Sequence, residues 1–168
     1  MISTTDAMNK LEAITMMPVG LVRSTVTSPT DDIWGGLVSR IELDPTRFSA
    51  QSLAGLSQFS HVQVLFHFHM VPDETVVTGA RHPRGRADWP EVGIFAQRGR
   101  HRPNKIGLST CPLLSIDDTV LTVSNLDAVD GTPVLDIKPY VVEFGPRDPV
   151  RQPEWVTELM AGYFRRAK

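Results

Sequence analysis

Apolar residues recur with period two over most of this chain, which is the spacing of half-buried β-strands. Val19–Val26 opens the pattern. In Leu37–Leu43, Leu37, Ile41 and Leu43 fall on one face, with Val38, Arg40 and Glu42 on the other. Phe59–His69 sets Val62, Val64, Phe66 and Phe68 against Gln63, Leu65, His67 and His69. Further strands are predicted at Val92–Gln97, at Val120–Ser124, and at Ile106–Ile116 with a bend at Pro112, which cannot donate to a ladder. The turn signal Asp130-Gly131 introduces a last strand running through Phe144. Its alternation puts Leu135, Ile137 and Val141 on one face and Asp136, Lys138 and Tyr140 on the other.

Helix is predicted in only two places. Pro45–Phe59 carries Phe48, Leu53, Leu56 and Phe59 in a spacing that suits one or two short turns, with Gly55 against anything longer. Pro153–Arg166 reads as a C-terminal helix, with Pro153 at its start, Glu154 in its first turn and Arg165 and Arg166 at its end. Trp155, Leu159 and Met160 form its expected buried stripe. Residues 1–15 read as a loose tail or short helix, SPTDDIWGG (Ser28–Gly36) as a turn-rich loop, and Gly145–Pro153 as a linker. Val71–Val92 is a long connection, and connections of that length are usually functional or disordered.

Composition supports a turn-rich, β-rich chain: there are thirteen Pro and twelve Gly. With 168 residues, 41% of them hydrophobic, the chain suits one domain, 1–168, with a real core. The single Cys111 excludes an intrachain disulfide and fits a reducing compartment, so a cytoplasmic location is expected. The first residues contain Asp6 and Glu12 and no long apolar run, so neither a signal peptide nor a membrane span is expected.

A net charge of −2 argues against a generic nucleic-acid binder, but the distribution changes the picture. Between residues 81 and 105, Arg81, Arg84, Arg86, Arg98, Arg100, Arg102 and Lys105 stand against Asp88 and Glu91, a local +5 on a remainder of −7. A basic patch on an acidic body suits a phosphate-bearing partner, and equally a charged loop without one. The polar face of Asp136, Lys138 and Tyr140 reads either as a site or as an ordinary solvated strand face. His67-x-His69, followed by Glu74, has a spacing seen in metal-binding cupin barrels, though the glycine expected before the pair is missing and His61 stands near its place. A non-catalytic RNA-binding barrel using the basic loop is a third reading.

Two strings narrow the choice. GIFAQRGRHRPNKIGLS (Gly93–Ser109) and LDAVDGTPVLDIKPY (Leu126–Tyr140) resemble the two signature segments of the TrmO/YaeB family, also called TsaA-like or VirR-like. FSHVQVLFHFH (Phe59–His69) and Val19–Ser24 are similar to further family segments, so the resemblance runs over roughly Val19–Tyr140. It implies a single antiparallel β-barrel with short peripheral helices and a C-terminal helix. It also implies S-adenosylmethionine as methyl donor, and transfer to the exocyclic nitrogen of threonylcarbamoyladenosine beside the tRNA anticodon. The donor-binding positions it implies are His69, Arg98, Leu108 and Ser109, and the turn Asp127, Ala128, Val129, Asp130 and Gly131. Arg98 suits the donor's carboxylate, and Asp127 and Asp130 its amine or hydroxyls.

Trp34 and Gly35 stand where members often carry a Pro-Gln loop, and are expected to supply the same wall. Arg81, Arg84, Arg86, Arg100, Arg102, Asn104 and Lys105 are the candidates for binding acceptor phosphates, and Asp136, Lys138 and Tyr140 the catalytic candidates for orienting the acceptor. Lys105 departs from the family, which usually has Pro in RPNPIG. Larger members carry an additional C-terminal domain, whereas this chain ends after one helix, so a small-molecule acceptor is the alternative to tRNA. Family resemblance further implies a homodimer.

Overall fold

The computed structural model describes residues 11–166, so most of the tail expected at 1–15 lies outside the described residues. In chain order the strands are β1 (Gly20–Arg23), β2 (Val38–Leu43), β3 (His61–His67), β4 (Ala80–Arg81), β5 (Val92–Gly93), β6 (Ile106–Asp117), β7 (Val120–Ser124) and β8 (Pro133–Pro139). Six of them close into an antiparallel barrel in the order β1-β2-β7-β6-β3-β8, with β8 pairing back onto β1 through Gly20 and Val134. Closure removes the free edges that make an open sheet prone to mispairing. β4 and β5 form a separate two-stranded ribbon.

The period-two pattern decides which side chains fill the barrel. Ile41 and Leu43 of β2, Val62, Val64 and Phe66 of β3, and Leu121 and Val123 of β7 are all buried, together with Val22, Cys111 and Leu126. Two 3₁₀ turns, Ala50–Leu53 and Leu56–Gln58, bring Leu53 and Leu56 onto this core, as the Pro45–Phe59 pattern predicts.

Four expectations need correction. The strand expected at Val92–Gln97 ends at Gly93 and becomes a 3₁₀ turn, Ile94–Ala96, because its partner β4 is only two residues long. Gln97 is then buried and closes the segment, its Nε2 donating to the carbonyls of Arg81 (3.1 Å) and Val92 (2.9 Å). The last strand stops at Pro139 rather than Phe144; Tyr140 makes a final bond to His61 O, and Val142–Phe144 is a 3₁₀ turn. Within β8 the alternation breaks, because a bulge between Leu65 and Phe66 shifts the pairing from Asp136 to Val134. Val134 and Ile137 therefore face the core, and Leu135 does not join it.

The fourth correction concerns the C-terminus. Helix α1 spans Glu154–Met160 and does not reach Arg166. Residues 161–166 continue as turns, with Tyr163 N–H on Met160 O and Arg165 N–H on Gly162 O, in keeping with the poor helix propensity of Gly162. This segment docks backbone to backbone on the Ser28–Gly36 loop: Trp34 N–H donates to Tyr163 O (2.9 Å) and Gly35 N–H to Arg165 O (3.3 Å). Only glycine allows the approach, since a Cβ on Gly35 would lie 1.8 Å from Phe164 O.

Candidate functional site

A cavity of about 1190 Å³ lies between the barrel, the long loops and the C-terminal segment. The barrel supplies Phe66, the β6 residues Gly107–Thr110 and the turn Asp127–Val129. The Ser28–Gly36 loop supplies Trp34, the basic loops supply Arg81, Arg84, Arg98, Arg100 and Arg102, and the C-terminal segment supplies Trp155, Leu159 and Tyr163.

Most of the donor-binding positions converge there. Trp34, His69, Arg98, Leu108, Ser109, Asp127, Ala128 and Val129 all line the cavity. Gly35, Asp130 and Gly131 do not; their parts are structural. Gly35 receives the C-terminal segment, Asp130 accepts the Ser24 N–H (3.0 Å), and Gly131 N–H donates to Val22 O, so this turn ties the β7–β8 connection to β1. His69 lies beyond the end of β3, in a turn where its N–H bonds His67 O, and only His69 of the two lines the cavity. The two imidazoles expected on one strand face are thus split between strand and turn.

Asp127 is the focus of the polar wall. Ser109 Oγ donates to its Oδ1 and Tyr163 Oη to its Oδ2. Burial first, then the Asp127 charge and hydrogen bond, push the Tyr163 phenol far up, so it stays a neutral donor. Burial, then Asp127, push the Cys111 thiol up to about 12, which leaves it an inert core residue. Arg98 donates through Nη2 to Leu108 O (2.6 Å), which anchors its guanidinium while the remaining N–H groups stay available.

The basic candidates divide. Arg84 makes a two-pronged contact with Asp32 (2.8 and 2.9 Å), and Arg100 pairs with Asp31 (3.0 Å). Both therefore clamp the loop that carries Trp34. Arg86 pairs with Asp88 and stacks on Trp89 at 4.0 Å, outside the cavity lining. Lys105 donates to Asp73 (2.5 Å) and Val71 O (3.1 Å) and is also outside it. Its φ of 49° is closed to proline, so the departure from RPNPIG changes the backbone path as well as the charge. Arg81, Arg102 and Asn104 line the cavity; Arg102 donates to Gln97 O, and Arg81 Nε has no partner among the described residues.

Asp136, Lys138 and Tyr140 are not brought to the cavity. Lys138 pairs with Asp136 at 2.7 Å, and both side chains are about half exposed (59% and 45%). With Ile137 packed on the core, alternation itself puts both on the outer face of β8. Sequence reasoning missed Tyr163, whose only trace is an aromatic residue beyond the expected helix stripe, and Gln97.

Residues 27–145 match the family described as the tRNA-methyltransferase O N-terminal domain. The chain belongs to this family. A human protein named tRNA (adenine(37)-N6)-methyltransferase is 40% identical over 102 residues, covering 61% of this chain and 23% of that protein. A "Probable S-adenosyl-L-methionine-binding protein" of Methanothermobacter thermautotrophicus is 37% identical over 129 residues, covering 76% of this chain and 90% of its own length. The crystal structure of TrmO from Pseudomonas aeruginosa superposes with a TM-score of 0.70 at 32% identity, over 88% of this chain and 63% of that one. The chain thus spans about a quarter of the human relative and nearly all of the archaeal one.

Proposed function

We propose that this TrmO-family barrel is an S-adenosylmethionine-dependent methyltransferase that modifies the N6 amine of an adenine in tRNA. The observation that carries the reading is the convergence of Arg98, Asp127, Ser109 and His69 on one cavity, in a family whose named relatives bind that donor or methylate tRNA. The residues present fit the donor. Arg98 offers a cation to its carboxylate, Asp127 an anion to its ammonium, and Leu108, Ala128, Val129 and Trp34 offer apolar walls. When bound, S-adenosylmethionine supplies a methyl group on a cationic sulfur; its transfer to an amine releases one proton. The chain's own part is to hold the reactants in line, which supplies roughly 7–11 kcal/mol of such a barrier. Threonylcarbamoyladenosine beside the anticodon is the proposed acceptor, and a homodimer in the cytoplasm the proposed working form, both resting on the resemblance. Calorimetry with the donor in the presence of a chelator tests the reading. Binding without metal is expected; heat only after zinc or iron is added would favour a metal barrel.

A further inference from the structure

Asp127 is held from two elements far apart in the chain. Ser109 on β6 donates to one oxygen, and Tyr163, on the segment after α1, donates to the other. An ionised carboxylate offers about four acceptor positions, so two stay open toward the cavity. Tyr163 lies outside the 27–145 family match.

The C-terminal segment is a wall of the cavity and not a plug. With Tyr163, Trp155 and Leu159 among its lining, the cavity still holds about 1190 Å³, above the roughly 300–1,000 Å³ usual for small-molecule sites. The wall is built in at several points. Trp34 N–H and Gly35 N–H bond its backbone, Gly35 has no side chain to obstruct it, and Trp89 Nε1 donates to Glu158 at 2.8 Å. The Tyr163 hydroxyl also feels both site charges, since Asp127 opposes its ionisation and Arg98 favours it. The Arg98 guanidinium and the Asp127 carboxylate both line the cavity, one charge for each end of an α-amino acid.

We infer that Tyr163 is a positioning residue, whose phenol orients the Asp127 carboxylate to receive the ammonium of the donor's amino-acid end. The inference rests on the methyl-donor reading. It predicts that Tyr163 acts only on ligands that carry the amino acid. S-adenosylhomocysteine carries it; methylthioadenosine keeps the adenosine and the sulfur and lacks it.

Calorimetry on the full chain with these two ligands is the test. Tyr163→Phe is expected to weaken S-adenosylhomocysteine about tenfold, the loss of one hydrogen bond to a charged group, and to leave methylthioadenosine within about twofold. In an Asp127→Asn background the same change is expected to add less than about twofold, because the two residues act as one unit. Ser109→Ala, which removes the other donor to Asp127 without touching the C-terminal segment, is expected to show the same selectivity, and it carries the test if Tyr163→Phe fails to fold. Equal losses for both ligands would make Tyr163 a mere wall, and tighter binding in the variant would make it a competitor; either overturns the inference while the donor reading stands. If the unaltered protein binds neither ligand, the donor reading itself fails and takes the assignment of Tyr163 with it.

Discussion

At the scale of single residues, the two arginines closest in sequence type do opposite jobs. Arg98 is anchored on Leu108 O and aimed into the cavity, whereas Arg86 is tied to Asp88 and Trp89 outside it. Arg98→Ala should therefore weaken S-adenosylmethionine binding by about 1.5–3 kcal/mol, while Arg86→Ala should leave it nearly unchanged by calorimetry. Arg84 is a poor control despite its place in the same loop, because its bond to Asp32 holds the Trp34 loop. A second prediction concerns His67 and His101. Burial first, then Lys105 and His69, hold His67 below the ordinary 6.5; burial first, then Arg100 and Arg81, do the same for His101. The unfolded chain therefore binds more protons than the folded one between those lowered values and 6.5. Stability from this source is complete above the ordinary value, falls as pH drops through it, and levels off below the folded values. Urea unfolding of the unaltered protein should show stability declining as pH falls below the ordinary 6.5, and a His67→Gln, His101→Gln double variant should show a flatter profile. The burial of both imidazoles, and the approach of Lys105 to His67 and of Arg81 to His101, come only with loop folding, whereas Arg100 adjoins His101 in the sequence itself.

At the scale of elements, what was legible was what depends on one strand at a time. The inward sets of β2, β3 and β7 follow from alternation alone. The β8 face was misread because a bulge is a property of two strands, and β8 shows no glycine to mark it. Asp136 and Lys138 keep the face opposite Ile137 that alternation assigns them, and that face is outer surface and not a cavity wall. The C-terminal segment was half legible: its start at Glu154 was marked by Pro153, but its end was set by docking on a loop over a hundred residues away in sequence. Gly35 is the point on which that docking turns. Gly35→Ala would drive a Cβ to 1.8 Å from a backbone oxygen, which cannot move without shifting the segment. The expected result is release of residues 154–166 from a barrel that otherwise keeps its fold, because no residue of the core cluster comes from that segment. Limited proteolysis should cut the variant near the Gly145–Pro153 linker faster than the unaltered chain, with little change in the melting temperature of the barrel. Unchanged protection of the linker would show that the contacts of Trp155 and Glu158 suffice to hold the segment.

At the scale of the whole molecule, the charge distribution read from sequence is real in composition and smaller in effect. The segment 81–105 carries +5 by count. Folding brings Asp31 and Asp32 onto Arg100 and Arg84 and Asp73 onto Lys105, three carboxylates from outside the segment, so the local excess drops to +2. Arg86 is paired within it. A paired arginine reaches a phosphate only by giving up its carboxylate, so the paired residues are poor sources of counterion release. Each phosphate contact steepens the dependence of log K on log salt by about 0.7–0.9. The six cations proposed for acceptor phosphates, all free, would give a slope near 4–5 in magnitude; the two without ion pairs among the described residues, Arg81 and Arg102, give no more than about 2. Binding of a tRNA anticodon stem-loop, measured between low and moderate salt, should fall in the lower range. Arg84→Gln with Arg86→Gln should then flatten the slope by less than one contact's worth, while the loosened Trp34 loop weakens donor binding. A loss of two full contacts in that double variant would mean that the ion pairs open onto RNA, and that Asp32 and Asp88 hold the arginines in reserve for the acceptor. No slope at all, with methylation of a small amine retained, would place the acceptor among small molecules and leave the barrel's donor chemistry intact.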